Sequence, residues 1–138
     1  VESQPLIAVR DVRASSRWYA ELLGAESLPD HSHREIYDRI ICAGRLVLQL
    51  HAWDEEDHPN LVDRNRAAPG HGIVLWFEVP DFDTAVARAR RLGAEIIEEI
   101  HFNPAPRHRE IWLRDPDGYV LVLASPDGED EPCRPHNG

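Results

Sequence analysis

The tetrapeptide Leu-Gly-Ala-Glu stands at 23–26 and again at 92–95, and His-Arg-Glu-Ile stands at 33–36 and again at 108–111. Two more pairs keep the same order. Val9-Arg10-Asp11 answers Val79-Pro80-Asp81, and Val47-Leu48-Gln49-Leu50 answers Val120-Leu121-Val122-Leu123. In chain order the offsets are 70, 69, 75 and 73 residues. A near-constant period carried by four segments means two copies of one supersecondary module. Such a chain can fold only in ways that use the module twice.

Each copy reads as β-α-β-β-β. Gln4 to Arg10 alternates like a strand, Asp11 suits an N-cap, and a helix over 14–23 has Trp18, Leu22 and Leu23 on its apolar side. Gly24 ends that helix. A counterpart of the second copy's short strand lies near 25–30. Strands over 34–42 and 45–51 follow, joined at Ala43-Gly44. After a polar linker at 52–72 the pattern restarts with a strand over 73–79. A helix capped at Asp81 or Asp83 ends at Gly93, and a short strand covers 94–99. A Pro-rich loop over 101–107 is positioned to cover a cavity mouth. The last two strands, 109–114 and 119–124, turn at Asp115-Pro116-Asp117-Gly118. We read residues 1–124 as one domain, with module one at 4–51 and module two at 73–124. Residues 125–138, rich in Pro, Gly and acid, read as a disordered acidic tail.

Strand alternation separates two faces. Ile7, Val9, Leu48, Leu50, Leu75, Phe77, Ile111, Leu113, Leu121 and Leu123 form an apolar face for the helices to cover. The opposite face receives Gln4, Glu35, Tyr37, Gln49, His51, Trp76, Glu78, His108, Glu110 and Trp112. Aromatic groups mixed with a few polar ones suit a ligand cavity better than a solvated surface. We therefore take those ten as candidate ligand-binding residues. The plainer alternative is an ordinary open face, with the two His-Arg-Glu-Ile segments as solvated strand starts.

The formal net charge of −10 argues against nucleic acid and anionic membranes. There is no long apolar run for a membrane span. Cys42 and Cys133 make no disulfide framework, which suggests a reducing, cytoplasmic setting.

The Asp115-Pro116-Asp117-Gly118-Tyr119 turn, the Val-x-Asp start of each helix, Trp18-Tyr19 followed by Leu23-Gly24, and the tandem repeat together resemble the vicinal oxygen chelate superfamily. That superfamily includes glyoxalase I, extradiol dioxygenases, fosfomycin-resistance enzymes and bleomycin-resistance proteins. The resemblance covers residues 4–124. It implies an α+β fold whose paired modules curl a mixed sheet around a central cavity, helices outside, in a homodimer. It also implies four metal-ligand positions, which here are Gln4, Gln49, Val74 and Val122. Valine has no donor atom, and a glutamine amide is a weak ligand for a divalent ion. The expectation is therefore a metal-free small-molecule binder of the bleomycin-resistance type, for a planar or cationic ligand and with no cofactor. The alternative is a lyase, isomerase or dioxygenase using His51, His108 and Glu110, either as a displaced Fe, Zn, Ni or Mn site or as an acid–base site.

Overall fold

The structure is a computed structural model that describes residues 2–26, 35–53, 61 and 73–130. The strand expected near 25–30, the start of the strand expected from 34, and the linker at 54–60 and 62–72 lie outside the described residues. Among the described residues two helices and seven strands form two mixed sheets, an α+β fold. The chain divides into two units, one up to residue 71 together with Pro116–Gly118, the other comprising the rest. No described helix is long and apolar enough to cross a membrane.

In the first unit the elements are β1 (Leu6–Val9), α1 (Val12–Leu23), β2 (Tyr37–Cys42) and β3 (Arg45–Ala52). β3 is central, parallel to β1 and antiparallel to β2. α1 starts where the Asp11 carboxylate accepts from Ala14 N at 3.0 Å, satisfying an amide that the first helical turn leaves without a partner. It stops at Gly24, whose left-handed φ of 64° a side chain would resist. Its buried stripe is Val12, Ser15, Tyr19 and Leu22. The helical period thus puts Tyr19 rather than Trp18 on the buried side, and Ile7, Val9, Leu48 and Leu50 are buried on the sheet. Asp38 shares this buried side, where Ser16 Oγ donates to it at 2.5 Å and the Arg39 amide at 2.8 Å. The β2–β3 turn needs positive φ at Ala43 (50°) and Gly44 (74°), the handedness that matches strand twist. Asp117 also belongs to this unit. It accepts from Arg10 N at 2.9 Å, Arg10 Nε at 3.1 Å and Ser15 Oγ at 3.2 Å.

In the second unit β4 (Val74–Glu78), α2 (Phe82–Leu92), β5 (Glu95–Asn103), β6 (His108–Arg114) and β7 (Val120–Ala124) give the order β4-β7-β6-β5. β4 is parallel to β7, and the other neighbours are antiparallel. Asp81 caps α2 through Thr84 N (3.1 Å) and Oγ1 (2.7 Å), and Gly93 ends it at φ 65°. Phe82, Ala85, Val86 and Ala89 are its buried residues, and Leu75, Ile111, Leu113, Leu121 and Leu123 are buried on the sheet.

The structure departs from the sequence reading at β5 and after β7. The short strand at 94–99 runs on to Asn103, so His101, Phe102 and Asn103 belong to β5 and not to a loop. Register shifts at 96/98 and 98/101 absorb the extra residues, and pairing then continues as His101↔Glu110, Phe102↔Arg109 and Asn103↔His108. The prolines interrupt only the turn. Residues 125–130, read as tail, are held against β6. Ser125 is fully buried, its amide donates to Arg109 O, and the Glu129 amide donates to Arg107 O. Residues 131–138 lie outside the described residues.

Candidate functional site

The register of the second sheet sets side chains of β4, β7, β6 and β5 in rows on the side away from α2. Trp76, Val122 and Trp112 form one row, and Glu78, Ala124, Glu110 and His101 the next. The Trp76 indole is half-exposed. Its centroid lies 6.5 Å from that of Trp112, edge to face, and 5.6 Å from the His108 ring. Val122 is buried in the same row. An aromatic platform with an open indole face is the result.

Beside it lies a closed polar network centred on Glu110, which is only 4% exposed. One carboxylate oxygen accepts from His108 Nε2 at 2.6 Å, the other from His101 Nε2 at 2.8 Å and Trp112 Nε1 at 3.1 Å. Burial pushes the carboxyl up, but the bonds from His108, Trp112 and His101 outweigh it, and Glu110 sits below the ordinary carboxylate range. His108 is 3% exposed, and its Nδ1 meets Asp127 at 3.1 Å. Burial opposes its charge, yet the carboxylates of Asp127 and Glu110 win, and its pKa is raised. A carboxylate at each nitrogen favours the cation, in which both nitrogens donate. In that form the ring has no lone pair with which to accept a proton. Glu110, covered by donors, is equally unsuited to act as a base. The pair acts as a charge-balanced anchor that orients Trp112 directly and Trp76 through ring contact.

In the first unit Tyr37 Oη donates to Gln49 Oε1 at 2.7 Å, and Gln49 Nε2 donates to the Gln4 carbonyl at 2.9 Å. His51 is buried, with Nδ1 at 2.6 Å from Ala52 O and its ring 6.3 Å from that of Tyr37. Glu35 is exposed and lies 3.5 Å from Arg13, and Glu78 is exposed at the end of β4. His33 lies outside the described residues. The structure thus assembles Trp76, His108, Glu110 and Trp112 in one unit and Gln4, Tyr37, Gln49 and His51 in the other.

The residues do not fit the metal that the vicinal oxygen chelate resemblance implies. Val74 and Val122 bring no donor, and the Gln49 amide is engaged at both ends by Tyr37 and Gln4. Among the described residues no group of three or more His, Cys, Asp or Glu is arranged to hold a metal ion.

Sequence reading missed His101 and Asp127. The alternation through Ile100 and Phe102 carries a signal for His101, because it continues β5 beyond residue 99. Nothing local marks Asp127, which meets His108 only through tertiary packing.

A model of the Glyoxalase/Bleomycin resistance protein/Dioxygenase superfamily matches residues 3–123. No curated protein matches the sequence. Among solved structures, a protein of unknown function from Agrobacterium tumefaciens is similar at 22% identity and TM-score 0.70, over 91% of this chain and 94% of its own. Lactoylglutathione lyase from the same organism is similar at 18% identity and TM-score 0.64, over 90% and 92%. A fosfomycin resistance protein from Mesorhizobium loti is similar at 16% identity and TM-score 0.64, over 91% and 92%. At these identities the likeness is one of fold. With the family model spanning both units, the chain belongs to the glyoxalase/bleomycin resistance protein/dioxygenase superfamily.

Proposed function

We propose that this protein binds a planar small molecule without a metal ion, using the Trp76 and Trp112 face as its platform. The observation that carries the reading is the half-exposed Trp76 indole braced by Trp112 and His108. An unoccupied aromatic face is suited to stacking. Glu78, exposed at the end of β4, favours a cationic or hydrogen-bond-donating ligand, whereas Glu98 is paired with His101 and the Glu110 charge is already matched. The similar structures named for lactoylglutathione lyase and fosfomycin resistance are consistent with a small-molecule partner. The resemblance to the vicinal oxygen chelate superfamily supports a homodimer as the working form, and the cysteine usage suits the cytoplasm.

An acid–base enzyme built on His108 and Glu110 draws less support, because the two groups are already engaged by each other and by Asp127. Titrating tryptophan emission with planar aromatic cations, neutral analogues and anions tests the binding reading. Saturable quenching is expected, strongest for cations. Trp76→Ala weakens affinity by about 5- to 150-fold, as loss of a stacked ring costs ~1–3 kcal/mol. Equal affinity in wild type, Trp76→Ala and Trp112→Ala would remove the platform.

A further inference from the structure

The segment that follows β7 folds back along the start of β6. Its acids pair with three consecutive bases there: Asp130 with Arg107 at 3.2 Å, Asp127 with His108 at 3.1 Å, and Glu129 with Arg109 at 2.9 Å. Two of those bases are guanidiniums, which stay charged at any working pH. His108 is the one whose charge can change in the neutral range. We infer that residues 125–130 form a proton-released strap, in which His108 holds Asp127 only while both of its ring nitrogens carry protons.

The geometry decides which bond is lost. A neutral imidazole has one N–H and cannot donate to two carboxylates. The Glu110 side chain is 6% exposed, whereas that of Asp127 is 64% exposed. Water can solvate the second carboxylate and not the first, so the remaining proton stays on Nε2 facing Glu110. The proton leaves Nδ1 for solvent. A lone pair then faces Asp127, and that contact changes from attraction to repulsion. The strap tip at 126–127 comes free. Its later residues keep the Arg109–Glu129 pair and the amide bonds of Gly128 to Pro106 O and Glu129 to Arg107 O.

The other groups around the imidazole leave this sequence of events intact. From its own strand His108 faces Glu110, from the strap Asp127, and from β4 the Trp76 ring. From β5, His101 reaches the same Glu110 carboxylate and is flanked by Glu98 at 3.3 Å. Glu78 shares the Glu110 row from β4. Arg107 and Arg109 are committed to Asp130 and to Asp83 and Glu129. The raised pKa of His108 places the release on the alkaline side of an ordinary histidine.

Because His108 packs on Trp76, release of the strap would open one end of the tryptophan face. That consequence rests on the binding reading above; the strap titration does not. The test is heteronuclear NMR of the ligand-free, full-length protein across neutral pH. The expected result is that the Asp127 and Gly128 amides shift with the same midpoint as the His108 ring, and that the alkaline form carries its proton on Nε2. In Asp127→Asn the His108 midpoint falls and the strap amides cease to titrate with it. Strap amides that stay still while His108 titrates would overturn the inference, as would an unchanged His108 midpoint in Asp127→Asn. Either failure leaves the ligand experiment unaffected.

Discussion

Glu110 and His108 hold each other charged in a place where either one alone would be costly to ionise. The linkage has a definite sign. His108 has a folded pKa above its ordinary 6.5, so its contribution is complete below that value and is lost as pH rises through the folded one. Glu110 has a folded pKa below its ordinary 4.5, so its contribution is complete above that value and is lost as pH falls through the folded one. The network therefore supports the fold best between 4.5 and 6.5. Urea unfolding at about pH 5.5 and about pH 8.5 should show greater stability at the lower pH, with the difference reduced in His108→Gln. A wild type and variant with the same pH dependence would detach the network from stability. Sequence alone put His108, Glu110 and Trp112 on one face, because strand alternation is a local rule that survives folding. It did not supply His101 or Asp127. His101 carries only the faint alternation of Ile100 and Phe102, beyond two register shifts, and Asp127 arrives by a chain reversal that has no local periodic signature.

The elements end where short-range chemistry says they should. Leu-Gly-Ala closes α1 and α2 in the same way. Gly24 N donates to Glu21 O and Ala25 N to Ala20 O, while Gly93 N donates to Arg90 O and Ala94 N to Ala89 O. In each case a left-handed glycine lets the next amide satisfy an earlier helical carbonyl. This explains why the tripeptide recurs, and why helix ends were legible to within two residues. A methyl group added at Gly93 would meet no heavy atom within 4 Å, so the cost of Gly93→Ala is conformational alone. It should lower stability by about 1 kcal/mol, read as a shift in the denaturant midpoint with unchanged slope. A neutral effect would mean that α2 tolerates a different stop. β5 was less legible than the helices. Its length depends on bulges that keep pairing with β6 after the simple alternation lapses.

At the scale of the whole molecule the sequence carries more about fold than about function. The repeated segments, the caps and the alternating apolar sets all constrain backbone and core, and the family model matches residues 3–123. One such fold hosts many chemistries, so the function has to be read from the side chains of the site. Here the side chains at the implied metal positions are poorly suited to an ion. Val74 and Val122 cannot ligate, Gln49 is bonded to Tyr37 and Gln4, and His108 has a carboxylate at each ring nitrogen. Among the described residues of this network the Trp76 indole is half-exposed, which supports the proposed stacking face. The central claim is that this face binds without a metal. It is tested most directly by calorimetric titration of a planar ligand that quenches tryptophan emission, into chelator-treated protein and into the same protein supplied with Fe, Zn, Ni or Mn. The account predicts equal affinity in every case; binding that appears only after a metal is added would contradict it.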